Sequence, residues 1–183
     1  MRVPLATALL VTAALVLPPA NAVASTQALA SYASRCRTSD LAVSLSPMGA
    51  ATGNLEVNVF LRNVSKDSCF LIGYPRFGLQ DPRHRPQPSH LIRGNTFFRQ
   101  DPGPRRVVLR PGSSAIVNLA WGDNASPGEP TRGQCEPLSA WLVVTPPNER
   151  RHLLARLRTV VCGHGTLIST AIATAPAGWQ VGY

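Results

Sequence analysis

The sequence predicts an all-β domain, an antiparallel β-sandwich, and three observations carry that prediction. Apolar and polar residues alternate with a period of two in several short runs, proline and glycine punctuate the chain between those runs, and no stretch beyond the N-terminal apolar segment sustains a long helical period. About seven to nine short strands are expected.

The chain opens on a segment that reads as an export signal peptide, residues 1–24. Arg2 supplies an early positive charge, Leu5 to Leu17 is apolar, and Ala20-Asn21-Ala22 and Ala22-Val23-Ala24 offer small residues, so cleavage is expected after Ala22 or Ala24. A membrane anchor needs roughly 20 continuous apolar residues; this run is shorter and Pro18-Pro19 closes it. No cysteine follows the cleavage site, the first being Cys36, so no lipid anchor is expected. The mature protein is expected to be secreted or cell-wall associated, with no transmembrane segment. Residues 25–35, small and polar, form a flexible lead into the domain at 36–173.

Leu41, Val43 and Leu45 alternate with Ala42, Ser44 and Ser46, which predicts a strand, and residues 47–54 supply turn types. Leu55, Val57, Val59 and Leu61 against Glu56, Asn58, Phe60 and Arg62 predict a second, half-buried strand. After a turn at 63–67, the apolar run from Cys69 to Tyr74 stops at Pro75, and Phe77 and Leu79 mark an edge strand at 76–80. Residues 81–104 carry Pro82, Pro86, Pro88, Pro102 and Pro104, with Leu91, Ile92, Phe97 and Phe98 their main apolar residues, and read as one long loop. Strands at 106–110 and 114–121 flank Pro111-Gly112, a type II turn pair. Such a turn splays tight hairpins, so an arch between sheets or a longer loop is expected there. Residues 122–133 are turn-rich, Leu138 to Thr145 is a strand closed by Pro146-Pro147, and 152–161 and 166–173 supply two more. The alternative for 149–158 is a short helix, since Leu153, Leu154 and Leu157 also fit helical spacing. The tail, 174–183, is either a last strand or a loose end.

Cys36, Cys69, Cys135 and Cys162 allow three pairings, which sequence by itself does not choose among. We favour Cys36 with Cys69 and Cys135 with Cys162, each closing a loop of about 30 residues and each contributing on the order of 3 to 4 kcal/mol by chain-entropy reasoning. Metal ligation would want close cysteine pairs, which are absent. An immunoglobulin-like, Greek-key sandwich suits the strand count, but no Trp lies between Cys36 and Cys69, which argues against a true antibody-type domain.

Charge narrows the partners. The formal net charge is +9, and 17 of the 18 basic residues are arginine, with Lys66 alone as lysine. Arg83, Arg85, Arg93, Arg99, Arg105, Arg106 and Arg110 fall in one stretch with Asp101 as the acid among them, and form a candidate anion-binding set. For an exported chain the expected partner is an anionic envelope polymer or a secreted or surface protein, and nucleic acid is not expected. The bland alternatives are a solvated loop and a GC-rich coding bias.

Catalytic signatures are missing: the chain has no G-x-S-x-G elbow, H-E-x-x-H helix or P-loop, and no carboxylate pair is singled out. A non-catalytic module without cofactor or catalytic residues is expected, a hydrolase assembled only in space being the alternative. Cys162-Gly163-His164-Gly165 invites a copper or zinc reading, but a turn between a disulfide and the last strand explains it as well, and no metal is expected.

Cys36, Leu61-Arg62-Asn63 ahead of Cys69, Gly73-Tyr74-Pro75, Leu109-Arg110-Pro111-Gly112, Trp121, Cys135, Val144-Thr145-Pro146-Pro147 and Cys162, in this order, resemble an actinobacterial family of exported proteins catalogued as a domain of unknown function (number 4232 in that series). The resemblance spans Cys36 to about Ala173. It implies an exported β-sandwich without assigned activity or functional residues, and this chain departs from the family's pattern in its Arg/Pro-rich segment between Asp81 and Arg106.

Overall fold

The computed structural model describes residues 33–176. The expected export signal, the lead up to residue 32 and the tail beyond 176 lie outside the described residues.

The domain is built almost wholly of strands: β1 (Ser34–Arg35), β2 (Leu41–Leu45), β3 (Gly49–Ala51), β4 (Asn54–Asn63), β5 (Cys69–Ile72), β6 (Arg76–Gln80), β7 (Pro86–Gln87), β8 (His90–Arg93), β9 (Arg106–Leu109), β10 (Ser114–Gly122), β11 (Ser139–Thr145), β12 (Leu153–Thr159), β13 (Thr166–Ser169) and β14 (Ala173–Thr174). They form a large sheet in the order β2-β4-β10-β13-β8, with β3 also on β4 and β14 also on β10. A four-stranded sheet runs β12-β11-β6-β7 and a three-stranded sheet β1-β5-β9. The spine is β4 against β10, antiparallel from Asn54↔Gly122 to Arg62↔Ser114. Val57, Val59 and Leu61 of β4 and Val117 and Leu119 of β10 meet Leu71, Leu109, Leu142, Val144 and Leu157 of the smaller sheets in one core.

The all-β class holds, and the disulfides are Cys36–Cys69 and Cys135–Cys162. The pairing is not wholly antiparallel: β1 joins β5 and β8 joins β13 in parallel. The strand order leaves the immunoglobulin-like, Greek-key connectivity an expectation. At Pro111-Gly112 the chain passes from β9 in the three-stranded sheet to β10 in the large one, with Gly112 at φ 79° and Ser113 N–H donating to the Arg110 carbonyl. The turn is therefore the expected arch between sheets.

Two expectations are corrected, and one alternative falls away. Residues 149–158 do not form the alternative helix: Leu153–Thr159 is a strand, because Ala155 and Leu157 bury on one face while Leu154, Arg156 and Arg158 face out. Residues 81–104 are not one long loop, since β7 extends β6 and β8 borrows the edge of β13. Nor is β4 half-buried, for Asn58 and Phe60 on its second face are also covered. Asn58 and Ile116 floor a cleft of about 340 Å³ whose walls include Arg99, Pro102 and Pro176, so the arginine-rich segment folds back over the large sheet.

That fold-back is held by polar side chains. Thr96 Oγ1 donates to Asn118 Oδ1 at 2.6 Å, and Asn118 Nδ2 donates to Glu56 (2.5 Å) and Asn58 (3.1 Å). Asp101 accepts from the Tyr74 hydroxyl, from Ala171 N–H (2.7 Å) and from Gly103 N–H (3.2 Å). Desolvation pushes the Asp101 carboxyl up, but these donors outweigh it and hold it below the ordinary value. The Tyr74 hydroxyl is raised in turn, first by its bond to Asp101. Asn63 explains its own motif: its amide donates to the Asp67 and Leu109 carbonyls and accepts from Ser65, closing the turn after β4.

Candidate ligand-binding face

Strand alternation decides what the four-stranded sheet shows to solvent. Gln80, Trp141 and Arg156 lie in register across β6, β11 and β12, and Gly78, Val143 and Leu154 form the next row. Leu79, Leu142, Ala155 and Leu157 between them point into the core. Arg158, two residues beyond Arg156, is outward as well.

Trp141 is the centre of this face. The Arg156 guanidinium lies 4.6 Å from the indole centroid, and the His84 ring stacks at 5.0 Å with an interplanar angle of 24°. His84 reaches it from the tip of the β6–β7 turn, where its backbone is left-handed, φ 59°. Asp81 builds that tip: its carboxylate accepts from Arg83 N–H (2.8 Å), Arg85 N–H (2.9 Å) and Arg85 Nε (2.6 Å), while its own N–H donates to the Arg85 carbonyl. The Arg85 N–H first, then the other donors, hold the Asp81 carboxyl below its ordinary value against desolvation. The result is an aromatic platform beside a hydrogen-bonded turn, with Arg83 and Arg85 exposed on the turn and Arg156 and Arg158 exposed on β12. A guanidinium stacked on an indole keeps its N–H edges free for carboxylate or phosphate.

The sequence-predicted arginine set is split by the fold. Arg83 and Arg85 join the Trp141 face, whereas Arg93 lies over the Tyr74 ring at 5.6 Å. Arg99 lines the cleft over Asn118. Arg106 covers Phe70 at 4.0 Å with Arg35 at 5.2 Å, on the three-stranded sheet. Arg105 and Arg110 are exposed beside β9. Trp141, Arg156 and Arg158 were not among the expected site residues; the outward period of β11 and β12 is the pattern that points to them.

A second group surrounds the Cys135–Cys162 disulfide. Glu129, with a side chain only 1% exposed, accepts from Ser126 N–H (2.6 Å), Gly163 N–H (3.0 Å) and His164 N–H (2.5 Å). Ser126 first, then His164 and Gly163 against the opposing desolvation, hold its carboxyl down to about 2 from an ordinary 4.5. A depressed carboxylate stabilises the fold above its unfolded value and loses that contribution as pH falls through the folded one. Stability is therefore expected to drop between pH 4.5 and about 2, and Glu129→Gln to flatten that limb of a pH series of melting temperatures. An unchanged limb would contradict the assignment. Among the described residues, Glu129, Glu136 and His164 could hold a metal ion; Cys135 and Cys162 lie beside Glu129 but are consumed by their disulfide.

A disulfide-stapled, all-β module with an outward basic and aromatic face is the class that this fold and face define. The chain belongs to the family described as a domain of unknown function (DUF4232), whose model matches residues 36–173. No curated protein and no solved structure matches the chain.

Proposed function

We propose that this chain is a secreted or cell-wall-associated, non-catalytic module that binds an anionic envelope polymer through the outward face of β6, β11 and β12. The observation that carries the reading is Trp141 with Arg156 stacked on it and Arg83, Arg85 and Arg158 around it, on a face whose outward strand positions bear no carboxylate. Asp81, the acid at the turn, is engaged by Arg85. Export rests on the signal-peptide reading of residues 1–24, and two disulfides suit an oxidising compartment. Among the described residues no helix is long and apolar enough to cross a membrane.

The test is co-sedimentation of the protein with isolated cell-envelope material at low and high salt. Binding is expected to weaken with salt, because exposed charges are screened beyond about 10 Å at 0.1 M. Trp141→Ala and Arg156→Gln are each expected to weaken it roughly tenfold, while Arg105→Gln with Arg110→Gln changes little. Equal binding by all of these proteins at both salts would defeat the proposal. The second reading, a protein partner, is favoured by Phe97 and Ile92, 59% and 44% exposed near the outermost strand β8. Salt-resistant binding lost in Phe97→Ala would select it.

A further inference from the structure

Apart from the Trp141 face, we propose that Glu129, Glu136 and His164 bind one divalent transition-metal ion of the zinc class. Their ligating atoms lie within 4.8 Å of one another, and His164 Nδ1 is 3.9 Å from Oε1 of each glutamate. The other ring nitrogen, Nε2, lies 3.2 Å from the Pro127 carbonyl oxygen. A carbonyl only accepts, so Nε2 is the donor there, and in the neutral ring the lone pair then sits on Nδ1, the nitrogen beside the two carboxylates. Histidines that hold metals are oriented in this way by a carbonyl on the far nitrogen.

Charge balance points the same way. Glu136, with a side chain 24% exposed, faces Glu129 and receives no hydrogen bond among the described residues. Two carboxylates that face each other repel unless a cation lies between them, and a metal ion supplies one. Next to Glu136 alone, Gln87 Oε1 is buried without a donor, and the two residues line a cavity of about 10 Å³. That is room for a single water beside Glu136, which would satisfy the orphaned oxygen.

The donors are held in place before any ion arrives. Glu136 follows Cys135 and His164 lies two residues beyond Cys162, so the disulfide ties their loops together. Glu129 is fixed by its three N–H donors, which leave Oε1 with a lone pair to give. One imidazole and two carboxylates suit zinc, whose ligand atoms sit about 3.4 Å apart at bond lengths near 2.1 Å; the two His164 contacts close by about half an ångström to reach that, and the Glu136 side chain, the more exposed of the two carboxylates, supplies the rest of the movement. His164 is 63% exposed, which leaves the fourth position to solvent.

The experiment is calorimetric titration and thermal unfolding of the oxidised, EDTA-treated protein with zinc, using calcium as the hard-cation control. One zinc per chain and a melting temperature that rises with zinc concentration are expected. His164→Asn, chosen because Asn tolerates the left-handed φ of 56°, and Glu136→Gln should each weaken zinc at least roughly tenfold. Each variant's unfolding transition without metal shows whether it folds. No heat and no thermal shift in the unaltered protein, as for an imidazolium that bridges the carboxylates by itself, overturns the proposal. Unchanged affinity in both variants overturns it too, by placing the zinc on other histidines.

Discussion

Replacing Cys36 and Cys69 together by alanine is expected to lower the stability of the domain by about 3 to 4 kcal/mol. The bond closes a loop over a sequence separation of 33, and cutting it returns that closure entropy to the unfolded chain. It also anchors the short first strand. β1 is two residues long, pairs with β5 alone among the described residues, and continues into the Cys36 N–H bond to the Phe70 carbonyl. Both cysteines are buried, at 2% and 3% exposure, so the missing sulfurs leave a void against the core as well. Denaturant unfolding of the oxidised protein beside the double variant measures the difference, and a thermal midpoint lower by roughly 10 °C should accompany it. A loss under about 1 kcal/mol would show that the unfolded chain keeps these segments together without the bond.

Asn118→Ala is expected to cost about 3 kcal/mol and to release the arginine-rich segment from the sheet. Asn118 is 4% exposed at the middle of β10, and its amide is the hub that accepts from Thr96 and donates to Glu56 and Asn58. Truncation takes this partner from Thr96 and Asn58, both mostly buried, and an unsatisfied buried group costs more than a hydrogen bond is worth when made. Thr96 ties the segment to this hub, because it also receives the Arg99 N–H (2.9 Å) and so shapes the turn at 96–99. Hydrogen exchange should show faster exchange across residues 94–104, with β4 and β11 protected until global unfolding. Uniform loss across the domain would mean that Asn118 supports the sheet rather than the fold-back.

Much of the architecture was legible because strand formation is a local matter of alternation. β4 with its 55/57/59/61 face, β10 after the Pro111-Gly112 arch, and β11 before Pro146-Pro147 all lie where period two and turn chemistry put them. β8 was not legible, since a four-residue strand that joins β13 in parallel draws its hydrogen bonds from a partner far along the chain. The buried second face of β4 was missed for the same reason: Glu56, Asn58 and Arg62 look solvent-facing until Thr96, Asn118 and the fold-back segment cover that side.

Of the candidate sites, the sequence reached the arginines but not their arrangement. Nearness along the chain grouped seven of them, and the alternation of strands and turns sends them to different faces, because adjacent segments of a sheet protein need not share a surface. Trp141 and Arg156 meet only through the β11–β12 register, and Glu129, Glu136 and His164 only through the Cys135–Cys162 bond and a carboxylate seated on three N–H groups. What the sequence by itself determined is the all-β class, the strands of the spine, the arch at Pro111-Gly112 and the basic excess, all of which follow from local pattern and composition. Which arginines flank Trp141, and which carboxylates gather around His164, was decided only by the tertiary structure, because pairing register and loop closure bring together residues whose separation in sequence carries no record of the contact.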